Sequence, residues 1–332
     1  MKNLYKYISV SLLAMAGLTS CHNADIEFDD YEGGVSVYFA HQTPRRTLVM
    51  GEDAYNTDLD NAHKCKIAAT MGGAYKGKDI KVNIRVDESL CTNLYREDDG
   101  SQMFAMPASY YQLSSNVLNF GGEFTGAVEV SFTDEFFNDP KAISGNYIIP
   151  VVMESQTGAK RILAGEYDTE TNPTAPSRLS DNWSVAPQDY TLFSVKYISK
   201  FEGFFLRNVT ELNGAAKSRE AGKTCLDDPI VKTNTLGLYK VSYKPENYEL
   251  ILTFDANQAC TVSAPDGANY TVSGSGEYKD HAEIKAWGDK DRDALYLNYT
   301  VSDGGNNVSV KETLILQRRG VKPEPSIKYV VK

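Results

Sequence analysis

The sequence predicts an all-β protein built from two domains, a β-sandwich followed by an antiparallel β-barrel or a second sandwich. Three observations carry this. Apolar and polar residues alternate with period two along most of the chain, as in strands with one face buried. The 21 tyrosines are many for 332 residues, and leucine-rich helical spacing is scarce. A proline-containing polar segment over 165–189 interrupts the alternation once.

The first domain is expected over 35–164. In IKVNIRV (80–86), Ile80, Val82, Ile84 and Val86 share one face, with Lys81, Asn83 and Arg85 opposite. VSVYF (35–39) and AVEVSF (127–132) repeat the pattern. NYIIPVVM (146–153) is nearly all apolar, and Pro150 cannot donate to a ladder, so this strand is expected at an edge or with a bulge. Several short strands in a segment of this length fit a sandwich of immunoglobulin-like size. Residues 165–189 then read as a linker, which Trp183 can fold back over one domain.

The second domain is expected over 190–322, with a tail over 323–332. Alternation returns in YTLFSVKYI (190–198), GLYKVSY (237–243), YELILTF (248–254), HAEIKAW (281–287), ALYLNYTV (294–301) and VSVKETLIL (308–316). KPEN (244–247) and SDGGNN (302–307) are turn sequences, and a meander with short turns removes its edges by closing into a barrel.

Residues 1–20 read as a secretory leader. Lys2 and Lys6 precede ISVSLLAMAGL (8–18), an apolar run too short for a hydrocarbon core of ~30 Å. Thr19 and Ser20 precede Cys21, and the tripeptide before Cys21, headed by Leu18, resembles a lipobox. That resemblance implies cleavage before Cys21 and lipid on its sulfur and new amine. Two or three acyl chains anchor nearly permanently, since each buried CH₂ contributes ~0.8 kcal/mol. Residues 21–34 form an acidic tether that resembles the export signal of Bacteroidetes lipoproteins facing the cell exterior.

Removing the leader leaves a charge balance of 32 − 44 = −12, which repels phosphate backbones and excludes nucleic acid as a partner. Cys65, Cys91, Cys225 and Cys260 show no CxxC spacing and have no histidine at zinc-ligand distance, so no metal or cofactor is expected. Disulfides Cys65–Cys91 and Cys225–Cys260 would each stay inside one domain, and four free thiols fit as well.

MPASYYQLSSNVLNFGGEFTGAVEVSFTDEFFNDP (106–140), followed by YIIPVVM (147–153), resembles a domain of unknown function common at the N-terminus of Bacteroidetes surface lipoproteins from polysaccharide-utilisation loci. The likeness spans about 33–160. VKYISKFEGFFLRN (195–208) and WGDKDRDALYLNYTV (287–301) resemble the small β domains ascribed to adhesion or glycan binding that follow it. KFEGFFLR also resembles the opening strand of lipocalin-like barrels. Pro107, Tyr110 and Tyr111 are read as structural, fixing a turn at the sandwich end.

Catalytic patterns are missing. His22, His41, His63 and His281 lie in neither a Gly-x-Ser-x-Gly nor a His-Glu-x-x-His setting, so no enzyme is expected. Asp289, Asp291 and Asp293 begin like a calcium loop, but Ala294 and Thr300 replace its required glycine and glutamate, so a charged hairpin turn is the better reading. Sugars stack on aromatic faces flanked by hydrogen-bonding side chains, which makes Trp183, Trp287, Tyr296 and Tyr299 the candidate glycan-binding residues. Each tryptophan has a competing role as a local plug. The expectation is a non-catalytic cell-surface lipoprotein that binds glycan, the alternative an adhesion or structural subunit. Its expected partners are the outer membrane through the lipid on Cys21, a glycan, and an outer-membrane transporter complex.

Overall fold

The computed structural model describes residues 29–170, 173–321 and 326–332, so the leader, Cys21 and most of the tether lie outside it. Among the described residues no helix is long and apolar enough to cross a membrane.

The first domain is one curled sheet of 11 strands. Its path runs from Arg161–Ile162 through Ser36–Tyr38, Lys64–Gly72, Thr125–Phe132, Val117–Asn119, Lys81–Val86, Tyr147–Thr157 and Tyr190–Ile198 to Arg45–Val49. Strands from both ends of the path share one core: Val37, Ile67, Val128, Ile84, Val195 and Leu48 belong to a single buried cluster. The sheet therefore folds over itself as a half-barrel, and its two walls are the layers of the expected sandwich. The alternation seen in the sequence is realised directly, with the Lys81–Val86 strand burying Val82 and Ile84 while Lys81, Asn83 and Arg85 stay exposed.

One expectation needs correction here, and another holds in one of its two forms. The strand Tyr190–Ile198 is not in the second domain. It pairs antiparallel with Tyr147–Val152 and parallel with Arg45–Val49, and it buries on both faces. Pro150 is in a central strand rather than at an edge, and of the two expected forms the strand shows the bulge, between Met153 and Ser155. Its carbonyl accepts from Asp87 N, so its missing donor faces the same side. On that side Ile148 is the last residue paired with Phe104–Ala105 and Val151 the first paired with Lys81–Val86. The absent N–H falls in the gap between two short partners and breaks no ladder bond.

The second domain is a closed antiparallel barrel of eight strands. Gly203–Leu212 pairs with Ile230–Gly237 on one side and with the last strand, Asn306–Arg318, on the other. Between them run Lys240–Tyr243, Leu250–Phe254, Ala259–Ser263, Thr271–Trp287 and Lys290–Asp303. Gly274 and Gly276 allow the long strand to press on its neighbours. A Cβ on Gly274 would lie 2.5 Å from Tyr299 Cβ, and one on Gly276 would lie 2.4 Å from the Tyr296 carbonyl.

The segment expected to be a linker packs on the first domain. Glu166 and Val185 form a bridge, and Arg178 makes a forked pair with the buried Asp189, with Nη2 2.8 Å from Oδ2. The tail also returns to that domain. Tyr329–Val331 pairs with Leu94–Arg96, and Ile327 is buried with Leu90, Cys91, Tyr190 and Leu192. The domains meet at 199–202, where Ser199 Oγ donates to the Leu238 carbonyl and Arg319 Nη2 donates to the Ser199 carbonyl. All four described cysteines are free thiols. Cys65 and Cys91 belong to different buried clusters, and Cys225 donates to the Ala286 carbonyl while Cys260 faces the barrel interior.

Candidate functional site

The barrel is filled in layers. At the end nearest the first domain an aromatic plug closes it. Phe201 stacks on Phe254 at 3.6 Å and meets Tyr278 edge-on at 5.1 Å, with Phe205 buried beside them. One step further along each strand the inward positions become polar: Arg207 after Phe205, Tyr299 after Leu297, Glu312 after Leu314, Tyr243 after Val241. Beyond this layer the inward residues are aliphatic and no longer fill the space. Val209, Leu212, Leu250, Val301, Val308 and Val310 wall a cavity of about 620 Å³ that opens at the end away from the first domain. Its rim is the 244–249 turn with Asn213 and Lys217, and Arg207 and Tyr299 reach it from below.

The polar layer is held tightly. Arg207 Nε donates to Glu312 Oε2 at 2.6 Å, and Nη1 donates to Glu246 Oε1 at 2.9 Å. The Tyr299 hydroxyl donates to Glu312 Oε1 at 3.2 Å. The Tyr243 hydroxyl is buried beside the same carboxylate without a hydrogen bond of ordinary geometry among the described residues. Burial works against the Arg207 charge, but Glu312, Tyr243 and Glu246 together outweigh it and keep the guanidinium firmly protonated. Burial pushes Glu312 above the usual carboxylate range, and Arg207 only partly offsets it. Burial raises both tyrosines, with Glu312 adding to it, so they act as neutral hydroxyls.

The four aromatic candidates are not brought together. Tyr299 lines the cavity. Tyr296 is on the outer face of the same strand, as alternation requires. Its hydroxyl donates to Glu283 at 2.8 Å, and Lys279 Nζ stands 5.5 Å from its ring centroid. Trp287 is half-buried at the junction-side end of the long hairpin, where its carbonyl accepts from Arg292 Nε. Trp183 is a plug in the folded-back segment. Its Nε1 donates to the Ser177 carbonyl at 2.9 Å, and Tyr167 meets it edge-on at 5.5 Å.

Asp291 and Asp293 are engaged in the hairpin. They accept from the backbone N–H groups of Lys285 and His281, and Asp293 also accepts from the Tyr278 hydroxyl at 2.7 Å. Tyr110 and Tyr111 pack against the first-domain core, and Tyr110 and Tyr147 both donate to Asp139, which caps Lys141 N. The residues missed in the sequence were Arg207 and Glu312. Each interrupts an inward-facing apolar series, in FFLRNV and VKETLIL, and a charge in that register was the available signal.

The fold and cavity define a two-domain β protein with an open-mouthed barrel at its C-terminal end. Residues 200–320 match the family model of DUF5627, a domain of unknown function, and residues 29–160 match a family described as an N-terminal domain. A protein of unknown function from Bacteroides ovatus, solved by structural genomics at 2.40 Å, is 35% identical with a TM-score of 0.80, over 92% of this chain and 100% of that one. The chain belongs to the same family as that Bacteroides ovatus protein. A second Bacteroides ovatus protein of unknown function aligns at 11% identity with a TM-score of 0.37, over 88% of this chain and 95% of that one. No curated protein matches the chain.

Proposed function

We propose that this protein is a non-catalytic, lipid-anchored glycan-binding protein of the cell surface, with the mouth of the C-terminal barrel as its binding site. The observation that carries the reading is the cavity of about 620 Å³, in which aliphatic walls lead down to Arg207 and Tyr299. That volume suits one or a few sugar units, whose C–H faces meet the aliphatic wall while their hydroxyls meet the polar floor. The lipid anchor on Cys21 is part of the same proposal and rests on the leader sequence. A strand-donating adhesion subunit would need a detachable terminal strand. Here Tyr329–Val331 pairs with Leu94–Arg96 of its own chain, which weighs toward the binding reading.

The test is electrophoresis through gels containing polysaccharides. A retarding polysaccharide is expected, and Val308→Trp, which narrows the mouth, is expected to abolish the retardation. Trp183→Ala and Trp287→Ala are expected to be retarded like the parent. Retardation that survives Val308→Trp and vanishes with Trp287→Ala would move the site out of the cavity.

A further inference from the structure

We propose that the ligand of the barrel cavity carries a carboxylate, as a uronic-acid unit does, and that Glu246 is its built-in stand-in, displaced from Arg207 when the ligand enters. This rests on the reading of the cavity as a glycan site and specifies which glycans it takes. Two carboxylates hold the same guanidinium in opposite surroundings. The Glu312 side chain is 0% exposed and bonded to Nε, so it stays with the barrel. The Glu246 side chain is 70% exposed, on the 244–249 turn at the rim, and bonded to Nη1. An ion pair to so exposed a carboxylate is weak, and Glu246 regains full hydration by swinging outward.

The Arg207 side chain is 9% exposed, and it lines the floor of the cavity. A neutral sugar placed over it either leaves Glu246 in the way or replaces a charged acceptor with a hydroxyl. A carboxylate replaces the acceptor in kind, along the N–H direction already used. Lys217 stands at the rim as a second cation. With Glu246 swung out, Arg207 and Lys217 face the cavity against Glu312 alone, and one ligand carboxylate balances the excess.

The experiment is calorimetric titration of the purified protein with oligosaccharides of galacturonate, glucuronate and mannuronate, and with their methyl esters, in which the charge is removed and one methyl group added. At least one acid series is expected to bind about tenfold or more tightly than its ester. Glu246→Ala is expected to tighten acid binding by about two- to fivefold, the worth of an exposed ion pair, without changing ester binding. Arg207→Lys, which keeps the charge but loses the planar fork, is expected to remove the preference. Equal binding of acids and esters, or weaker acid binding by Glu246→Ala, overturns the carboxylate proposal and leaves the glycan reading intact. Binding of neutral polysaccharides with silence toward every acid does the same. Silence toward acids and neutral glycans alike overturns both.

Discussion

Arg207 Nε and Glu312 Oε2 lie 2.6 Å apart across the seam that closes the barrel, on its first and last strands. The pair is buried at both ends, so each charge depends on the other. Removing one partner from a buried pair costs about 3–5 kcal/mol, whereas replacing both with apolar residues of similar volume is often neutral. Arg207→Met is therefore expected to lose about that much stability in denaturant unfolding, and Arg207→Met with Glu312→Leu to recover most of it. Additive losses in the double variant would show that the seam does not depend on this pair.

Period two was legible because it is enforced by burial on one face, and the first-domain strands and most barrel strands follow it. Thr271–Trp287 was half-missed because TVSGSGEYK substitutes Gly and Ser for apolar residues where the barrel bends against Tyr299 and Cys260. Tyr190–Ile198 was given to the wrong domain because a strand buried on both faces does not name its neighbours. Of the site, Tyr299 was legible as an aromatic near a turn. Arg207 and Glu312 were not, because they are 105 positions apart and only barrel closure makes them neighbours.

The tail ties the end of the chain to its first domain. Ile327 is 7% exposed against Leu90, Cys91 and Tyr190, and burying such a side chain contributes about 2 kcal/mol. Cys91 is covered by the same cluster, and burial pushes its thiol up to about 12, so it is poorly reactive. Ile327→Asp is expected to undock the tail and raise the rate at which Cys91 is labelled by a thiol reagent, with Cys65 unchanged in its separate core. Unchanged labelling of Cys91 would mean that the tail does not shield it.

Trp183 holds the segment between the domains against the first one. Gly165, at φ +83°, leaves room for the ring: a Cβ there would lie 2.8 Å from Trp183 Cε3. Trp183→Ala removes the contact with Tyr167 and the bond to the Ser177 carbonyl. Limited proteolysis is expected to cut within 165–190 several times faster in that variant, giving two fragments that stay associated because Tyr190–Ile198 remains paired in the first-domain sheet. Equal rates would place the protection in the Arg178–Asp189 pair instead.

Cys21 is the proposed lipid site, and no other cysteine follows an apolar leader. Cys21→Ala is expected to shift the protein from the membrane fraction to the soluble fraction, or to leave the leader uncleaved. Acyl chains supply the anchoring energy in this reading, so a variant without them should not sediment with outer membrane. If it partitions as the parent does, the lipoprotein reading is wrong.

His63 sets a pH dependence in the first domain. It sits at φ +58°, between Asp58–Asn61 and Lys64–Gly72, with its ring centroid 4.1 Å from that of Phe137. Burial lowers its pKa from the ordinary 6.5, and Asp134 nearby opposes this only in part. The folded state thus prefers the neutral imidazole. As pH falls through about 6.5 the unfolded chain takes up a proton that the folded chain still refuses, so stability drops until the lower folded value is passed. Asn tolerates a positive φ and does not titrate. His63→Asn is therefore expected to lose less in melting temperature than the parent between about pH 7 and pH 5, a window set by the ordinary imidazole value. Since Asp60 and Glu312 are shifted upward, their protonation favours the folded state as pH falls, so only the difference between parent and variant isolates His63. Parallel slopes in the two proteins would remove His63 from this role.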